Sequence, residues 1–265
     1  MALYDNIAAQ YDATRGYPAG IQEQVGRGLR ELVAARGFSD PRYLEIGAGS
    51  GRVGLPLVAA GVRYVAVDES QAMLELFAAH LRECNAAHAR LVRADAKMLP
   101  FAAASFEVGL AVHVFHLVGD WRPAAGELRR VVRRGGLLLL GFDIEEPGTP
   151  FAEALAAWGE LLDAAGVPPL PWGRESVGNA VVDHLARQGA SVERLTLLGW
   201  ETQPTVARML HDQQYGGFLR TRTLPPADLA RHIARWRDWL LARYGSLDAT
   251  LTQRQHFEVY VLTLP

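Results

Sequence analysis

Short apolar runs alternate with segments of helical periodicity over the first half of the chain. Residues 42–46 (RYLEI) predict a buried strand, and a glycine-rich loop follows. Residues 53–60 suit a short helix. Residues 63–69 (RYVAVDE) predict a second strand that ends in acid. Ser70 then stands as a helix N-cap, with Met73, Leu74, Phe77 and Leu81 at the spacing of one helix face. Residues 89–95 (ARLVRAD) and 106–112 (FEVGLAV) predict the third and fourth strands. Residues 121–133 predict a helix that Gly135 and Gly136 stop. Residues 137–142 (LLLLGF) are apolar throughout, as a strand covered on both faces is. Further on, residues 151–165 and 175–188 read as helices and 192–200 as a strand. Residues 204–247 are largely helical, and 256–264 close the chain as an alternating strand. Within the late helical part, Leu229, Ile233, Trp236 and Leu240 form one apolar stripe, which is expected to pack into a core.

Strand and helix in alternation imply an α/β fold with a parallel sheet and right-handed crossovers. We expect a doubly wound, mostly parallel sheet, a last strand that runs antiparallel, and a helical cap. The expected layout is a lid helix in 1–20, a ligand-binding core in 21–146, and the remainder of the core in 147–250. Cap insertions are expected at about 147–175 and 203–250, with the last strand in 251–265. Ligands on such sheets bind beyond the carboxyl ends of the strands. The glycine loop, Asp68 and Asp95 all fall at predicted strand ends, so they should converge in space.

Composition narrows the picture. The chain has 265 residues, 49% hydrophobic and 21% charged, which suffices for a sizeable core. A net charge of −2 gives no reason to expect a polyanion partner, so no nucleic acid is expected. Arg129, Arg130, Arg133 and Arg134 read as the solvated face of a helix whose Leu128, Val131 and Val132 turn inward. The lone Cys84 excludes an internal disulfide framework and fits a reducing cytoplasm. No secretion signal and no membrane span are expected. His88, His184, His232 and His256 are scattered without metal-ligand spacing, so no metal is expected.

The loop LEIGAGSGRVG (residues 44–54) carries the chemistry. A phosphate-binding P-loop needs Gly-Lys-Ser/Thr, and no lysine is near. A dinucleotide fingerprint needs a third glycine where Arg52 stands. What remains is an acid followed by alternating glycines: Glu45, Gly47, Gly49 and Gly51. Glu45 would repel a phosphate and favour an ammonium. Asp68 can accept hydrogen bonds from two ribose hydroxyls, and Glu69 can assist it. Asp95 can accept from an adenine amino group. Ribose, adenine and an amino-acid ammonium together describe S-adenosylmethionine (SAM), with S-adenosylhomocysteine (SAH) as its product.

The chain resembles the class I SAM-dependent methyltransferases related to ubiquinone and menaquinone biosynthesis. LEIGAGSGR resembles the first motif of that group, and VAVDESQAML its second-strand acid with a serine-capped helix. RADAKMLPFAAASFEVGLAV and LVGDWRPAAGELRRVVRRGGLLLLGF resemble its later segments, and YDNIAAQYDATRGYP its N-terminal helix. The resemblance covers roughly residues 4–142. Glu107 and Arg134 depart from the pattern, where the group usually has Asp and Pro. It implies a seven-stranded Rossmann-like sheet and methyl transfer from SAM to a small-molecule acceptor. It also implies that Tyr11 and Arg15, one helical turn apart, form a lid over the methionine end of SAM. Met73 would pack on the adenine, and Ala48, Ala96 and Val112 complete the expected cofactor set. His116 matches a histidine of the group and is the first candidate for a general base, with His113 and His211 as reserves. Methylation of RNA or protein, and a non-catalytic SAM-binding module, are the competing readings.

Overall fold

A computed structural model describes residues 8–86, 89–169, 174–215, 218, 220–222 and 224–265. Residues 1–7 of the expected lid, and His88, lie outside the described residues. A seven-stranded sheet forms the centre: β1 (Arg42–Ile46), β2 (Arg63–Asp68), β3 (Arg90–Arg93), β4 (Phe106–Val112), β5 (Val132–Glu145), β6 (Ser191–Thr202) and β7 (Gln253–Thr263). Their spatial order is β3-β2-β1-β4-β5-β7-β6. The first five strands pair in parallel, and β7 runs antiparallel between β5 and β6. The order reverses beside β1, so the loop after β1 sits at the topological switch point.

Helices cover both faces: α1 (Ala8–Arg15), α2 (Ile21–Ala34), α3 (Gly54–Ala59), α4 (Gln71–Glu83), α5 (Arg122–Val131), α6 (Pro150–Ala164), α7 (Arg174–Arg187), α8 (Val206–Tyr215) and α9 (Pro226–Tyr244). Strand alternation divides the core in two. Leu138, Leu140 and Leu262 meet Leu128 of α5 and Val181 and Leu185 of α7. Leu137, Leu139, Val259 and Val261 meet Leu29 and Val33 of α2 and Phe77 of α4. Ser70 caps α4 as expected, its hydroxyl accepting from the Met73 N–H at 3.2 Å. A third core binds α6, α8 and α9 through Trp158, Met209, Trp236 and Leu240, which carries the expected stripe. No described helix is long and apolar enough to cross a membrane.

One expected boundary is corrected. The helix from residue 121 ends at Val131, and the chain is already in β5 at Val132. Gly135 and Gly136 therefore lie inside the strand rather than capping the helix. Pairing of β4 with β5 jumps from Phe106↔Val132 to Val108↔Leu137, and the glycines fill that irregularity, bonding to Leu264. Arg133 and Arg134 are thus strand residues, although still exposed. At its other end β5 runs three residues past Phe142, because β7 pairs with it as far as Glu145.

Candidate active site

A cleft of about 1260 Å³ opens at the carboxyl ends of the strands. The loop after β1 is its floor. Gly49 has φ +56, and a Cβ there would meet nothing within 4 Å, so the backbone faces open space. Gly51 has φ +88, and a Cβ there would sit 2.2 Å from the Phe77 ring. Gly51 thus serves packing and Gly49 serves approach, two reasons hidden in one motif.

Asp68 clamps this loop. One carboxylate oxygen accepts from the Gly49 N–H at 2.9 Å and the other from the Ser70 N–H at 2.8 Å. Burial raises its pKa, and these two amides oppose the rise. Glu45 also borders the cleft but is 2% exposed. Its carboxylate accepts from the Tyr64 hydroxyl at 2.6 Å, and burial pushes its pKa up to about 8, Asp68 adding to the shift. A carboxyl only partly ionised at neutral pH weakens the expectation that it attracts an ammonium.

The other expected positions gather on the same walls. Gly47, Ala48, Glu69, Met73, Asp95, Ala96 and Val112 line the cleft together with Tyr11 and Arg15. Asp95 stands exposed at the rim, its side chain accepting from the Lys97 N–H at 2.8 Å. Met73 is 2% exposed, so most of it serves the core.

The N-terminal segment crosses the cleft. Asp12 accepts from the Ser50 hydroxyl at 2.5 Å and lies 3.3 Å from His80. The Ala13 carbonyl accepts from Arg208 of α8, and the Arg15 carbonyl accepts from Arg52 at 3.1 Å. The Arg15 guanidinium lies 4.5 Å from the centre of the Phe218 ring. The segment therefore bridges the sheet and the cap.

A charged network, of which only His113 was expected at the site, lines the cleft. Asp143 accepts from the Tyr17 hydroxyl at 2.7 Å and pairs with Arg52 at 3.1 Å and His113 at 2.9 Å. Arg52 also stacks on the Tyr17 ring, 4.4 Å from its centre. Burial works to raise the Asp143 pKa, but Arg52 and then His113 outweigh it and hold the carboxyl far below its usual range. His113 has φ +54 and receives two contacts at one nitrogen. The Asp143 carboxylate needs a proton on Nε2, and the Asp143 N–H, 3.1 Å away, needs a lone pair there. His116 lines the same cleft with its ring edge-on to His113, centroids 6.5 Å apart. His211 is corrected: it is exposed on α8 beside Asp212 and is not part of the cleft lining, because its helix turns the other face inward. Among the described residues no cluster of His, Cys, Asp or Glu could hold a metal ion.

The fold and the loop after β1 define an α/β domain whose cleft opens at the switch point. Residues 44–140 match the family model described as a methyltransferase domain. That segment is similar to class I methyltransferase domains, a class whose cofactor is SAM. It is 30% identical over 139 residues to a demethylmenaquinone methyltransferase of Clavibacter sepedonicus, covering 52% of this chain and 56% of that one. A demethylmenaquinone methyltransferase of Streptomyces avermitilis is 28% identical, with 79% and 82% covered. The chain spans about half to two thirds of the length of several curated relatives it matches. Among solved structures, the YcgJ protein of Bacillus subtilis superposes with a TM-score of 0.58 at 18% identity, covering 90% of this chain and 98% of that one.

Proposed function

We propose that this protein transfers the methyl group of SAM to a small-molecule acceptor. The observation that carries the reading is the open backbone at Gly49 with the Asp68 carboxylate clamped beside it. That cradle suits a ribose laid against the loop, with Asp68 accepting from its hydroxyls. Asp95 and Ala96 at the rim suit the adenine, with Met73 and Val112 as apolar walls. Glu69 assists at the ribose edge. Gly47, Ala48 and Gly49 border the sulfur end, Gly51 lets the loop pack on Phe77, and Tyr11 and Arg15 close over the amino-acid end. Bound SAM supplies a methyl group made electrophilic by the sulfonium, so the protein has to align a nucleophile and exclude water. Tyr17, Arg52 and the strap that carries Tyr11 provide that exclusion. His116 is our candidate to take a proton from an acceptor that must lose one, and Asp143 holds the ring of the neighbouring His113.

Relatives named as demethylmenaquinone methyltransferases support a small acceptor, and a net charge of −2 gives no reason to expect a polyanion. Calorimetry tests the reading. SAH should bind at one site, and NAD should not compete, because Arg52 replaces the glycine a dinucleotide needs. NAD binding that competes with SAH would overturn it.

A further inference from the structure

The antiparallel extension of the sheet builds a second polar surface inside the cleft. Register sets it. Glu145 of β5 pairs with Gln255 of β7, which pairs with Trp200 of β6. In the next row Gln253 pairs with Thr202. Paired residues share a face, and residues two apart on one strand share it too. Glu145, Gln255, Trp200, Gln253 and Thr202 therefore continue the face that carries Leu137, Leu139 and Val259 deeper in the molecule. Core turns to platform at the point where the strands outrun their helices.

The platform is internally bonded, with one atom left over. The Thr202 hydroxyl donates to Gln253 Oε1 at 3.0 Å, and Gln253 Nε2 donates to Glu145 Oε2 at 2.8 Å. Trp200 Nε1 donates to Gln255 Oε1 at 3.2 Å. Glu145 Oε1 is buried with no hydrogen-bond partner among the described residues. Three other acids of the cleft have cations: Asp143 has Arg52, Asp212 has Arg208, and Asp95 has Lys97, whereas Asp68 and Glu45 accept hydrogen bonds from the Gly49 and Ser70 amides and the Tyr64 hydroxyl. No described cation lies within ion-pair distance of Glu145. Burial raises its pKa, and the neighbouring Glu146 adds to the rise. Arg52, Arg208 and Arg220 each already face a carboxylate, so they have little to offer an anionic acceptor. Phe151, Leu155 and Met209 add apolar surface to the same cleft.

Resting on the methyl-transfer reading, we infer that Glu145 is a specificity-determining residue that holds a protonated amino group on an acceptor with an apolar body. A buried carboxylate oxygen without a partner is costly, and a charge-assisted bond to an ammonium removes that cost. An ammonium held this way has no lone pair to give. It is the handle, and the methyl group goes to another atom of the acceptor.

Three probes of one shape test this: tyramine, its neutral alcohol tyrosol, and 4-hydroxyphenylacetate, each titrated calorimetrically into the SAH-loaded protein. Tyramine should bind at least about tenfold tighter than the acid, the scale of one hydrogen bond between charged partners. Glu145→Gln keeps the shape and the bond from Gln253, and should bring amine and acid within about twofold. Melting temperature and SAH affinity report that the variant is folded. Equal binding of amine and acid, no binding of any probe, or a preference that survives Glu145→Gln overturns the assignment. Failure of SAH itself to bind would instead sink the methyltransferase reading, so the two failures are distinguishable.

Discussion

Glu45 is a site residue by position and a core residue by environment. Its carboxyl is buried against Tyr64, and its pKa is raised to about 8, mainly by burial. A raised carboxyl favours folding below its ordinary pKa, and that contribution is lost as pH rises through 8. Stability of the apo protein should therefore fall by about 2–3 kcal/mol between pH 6 and pH 9 from this group alone. Glu45→Gln keeps an acceptor for the Tyr64 hydroxyl and cannot ionise, so it should lose that part of the decline. Urea unfolding at the two pH values measures it, and parallel curves for both proteins would refute it. Asp143 titrates the other way. Its carboxyl is held far down, so the stability it lends is complete at neutral pH and drains only as pH falls below the usual carboxylate range. At the chemical end of the cleft, His116→Gln should lower the maximal methylation rate by about 10²-fold or more while SAH affinity holds. The acceptor for that assay comes from a labelled-SAM screen. A rate that falls only through weaker acceptor binding would make His116 a wall.

The N-terminal strap is an element whose hold depends on others. No described side chain of α1 belongs to the three apolar cores, and the ties of the strap run through Asp12, Arg208, Arg52 and Tyr17. Such a segment opens at low cost and gains most from a ligand beneath it. Trypsin cleavage at Arg15 should slow several-fold when SAH is present. Cleavage at equal rates with and without SAH would count against closure over the ligand. Removing residues before Ala19 should leave the sheet folded and weaken SAH retention. At this scale the sequence was a good guide for some elements and a poor one for others. The parallel strands were legible because a strand covered on both faces is an uninterrupted apolar run, as in LLLLGF. The loop and Asp68 were legible because their residue types have few other uses together. The end of β5 was not. Asp143 and Glu145 alternate with Phe142 and Ile144 in GFDIEE, but pairing with a strand more than a hundred residues away decides that they are strand at all. Arg52 was visible as a glycine that failed to appear, and its partner on β5 was not.

On the scale of the whole molecule, the cap and the sheet are separate cores that share a cleft. α6, α8 and α9 pack around Trp158 and Trp236, whose ring centroids lie 5.0 Å apart. Trp236 is fully buried, and its Nε1 donates to the Ala154 carbonyl at 3.1 Å. Neither ring belongs to the clusters that hold the sheet to α2, α4, α5 and α7. The loop after β1 and the ends of β2 to β4, where we propose the nucleoside, line the cleft from the sheet, whereas Phe151, Leu155 and Met209 line it from the cap. Damage to the cap core should therefore reach the two ends unequally. Trp236→Ala removes a large ring from a closed site and should cost the cap about 3–5 kcal/mol. Hydrogen exchange should quicken in α6 and α9 while β1, β4 and β5 stay protected. SAH affinity should change by no more than a few-fold, reduced through the ties of Arg208 and Phe218 to the strap, while acceptor turnover falls much further. Uniform loss of protection across sheet and cap, with SAH binding lost in parallel, would show one cooperative unit in place of two cores joined at the cleft.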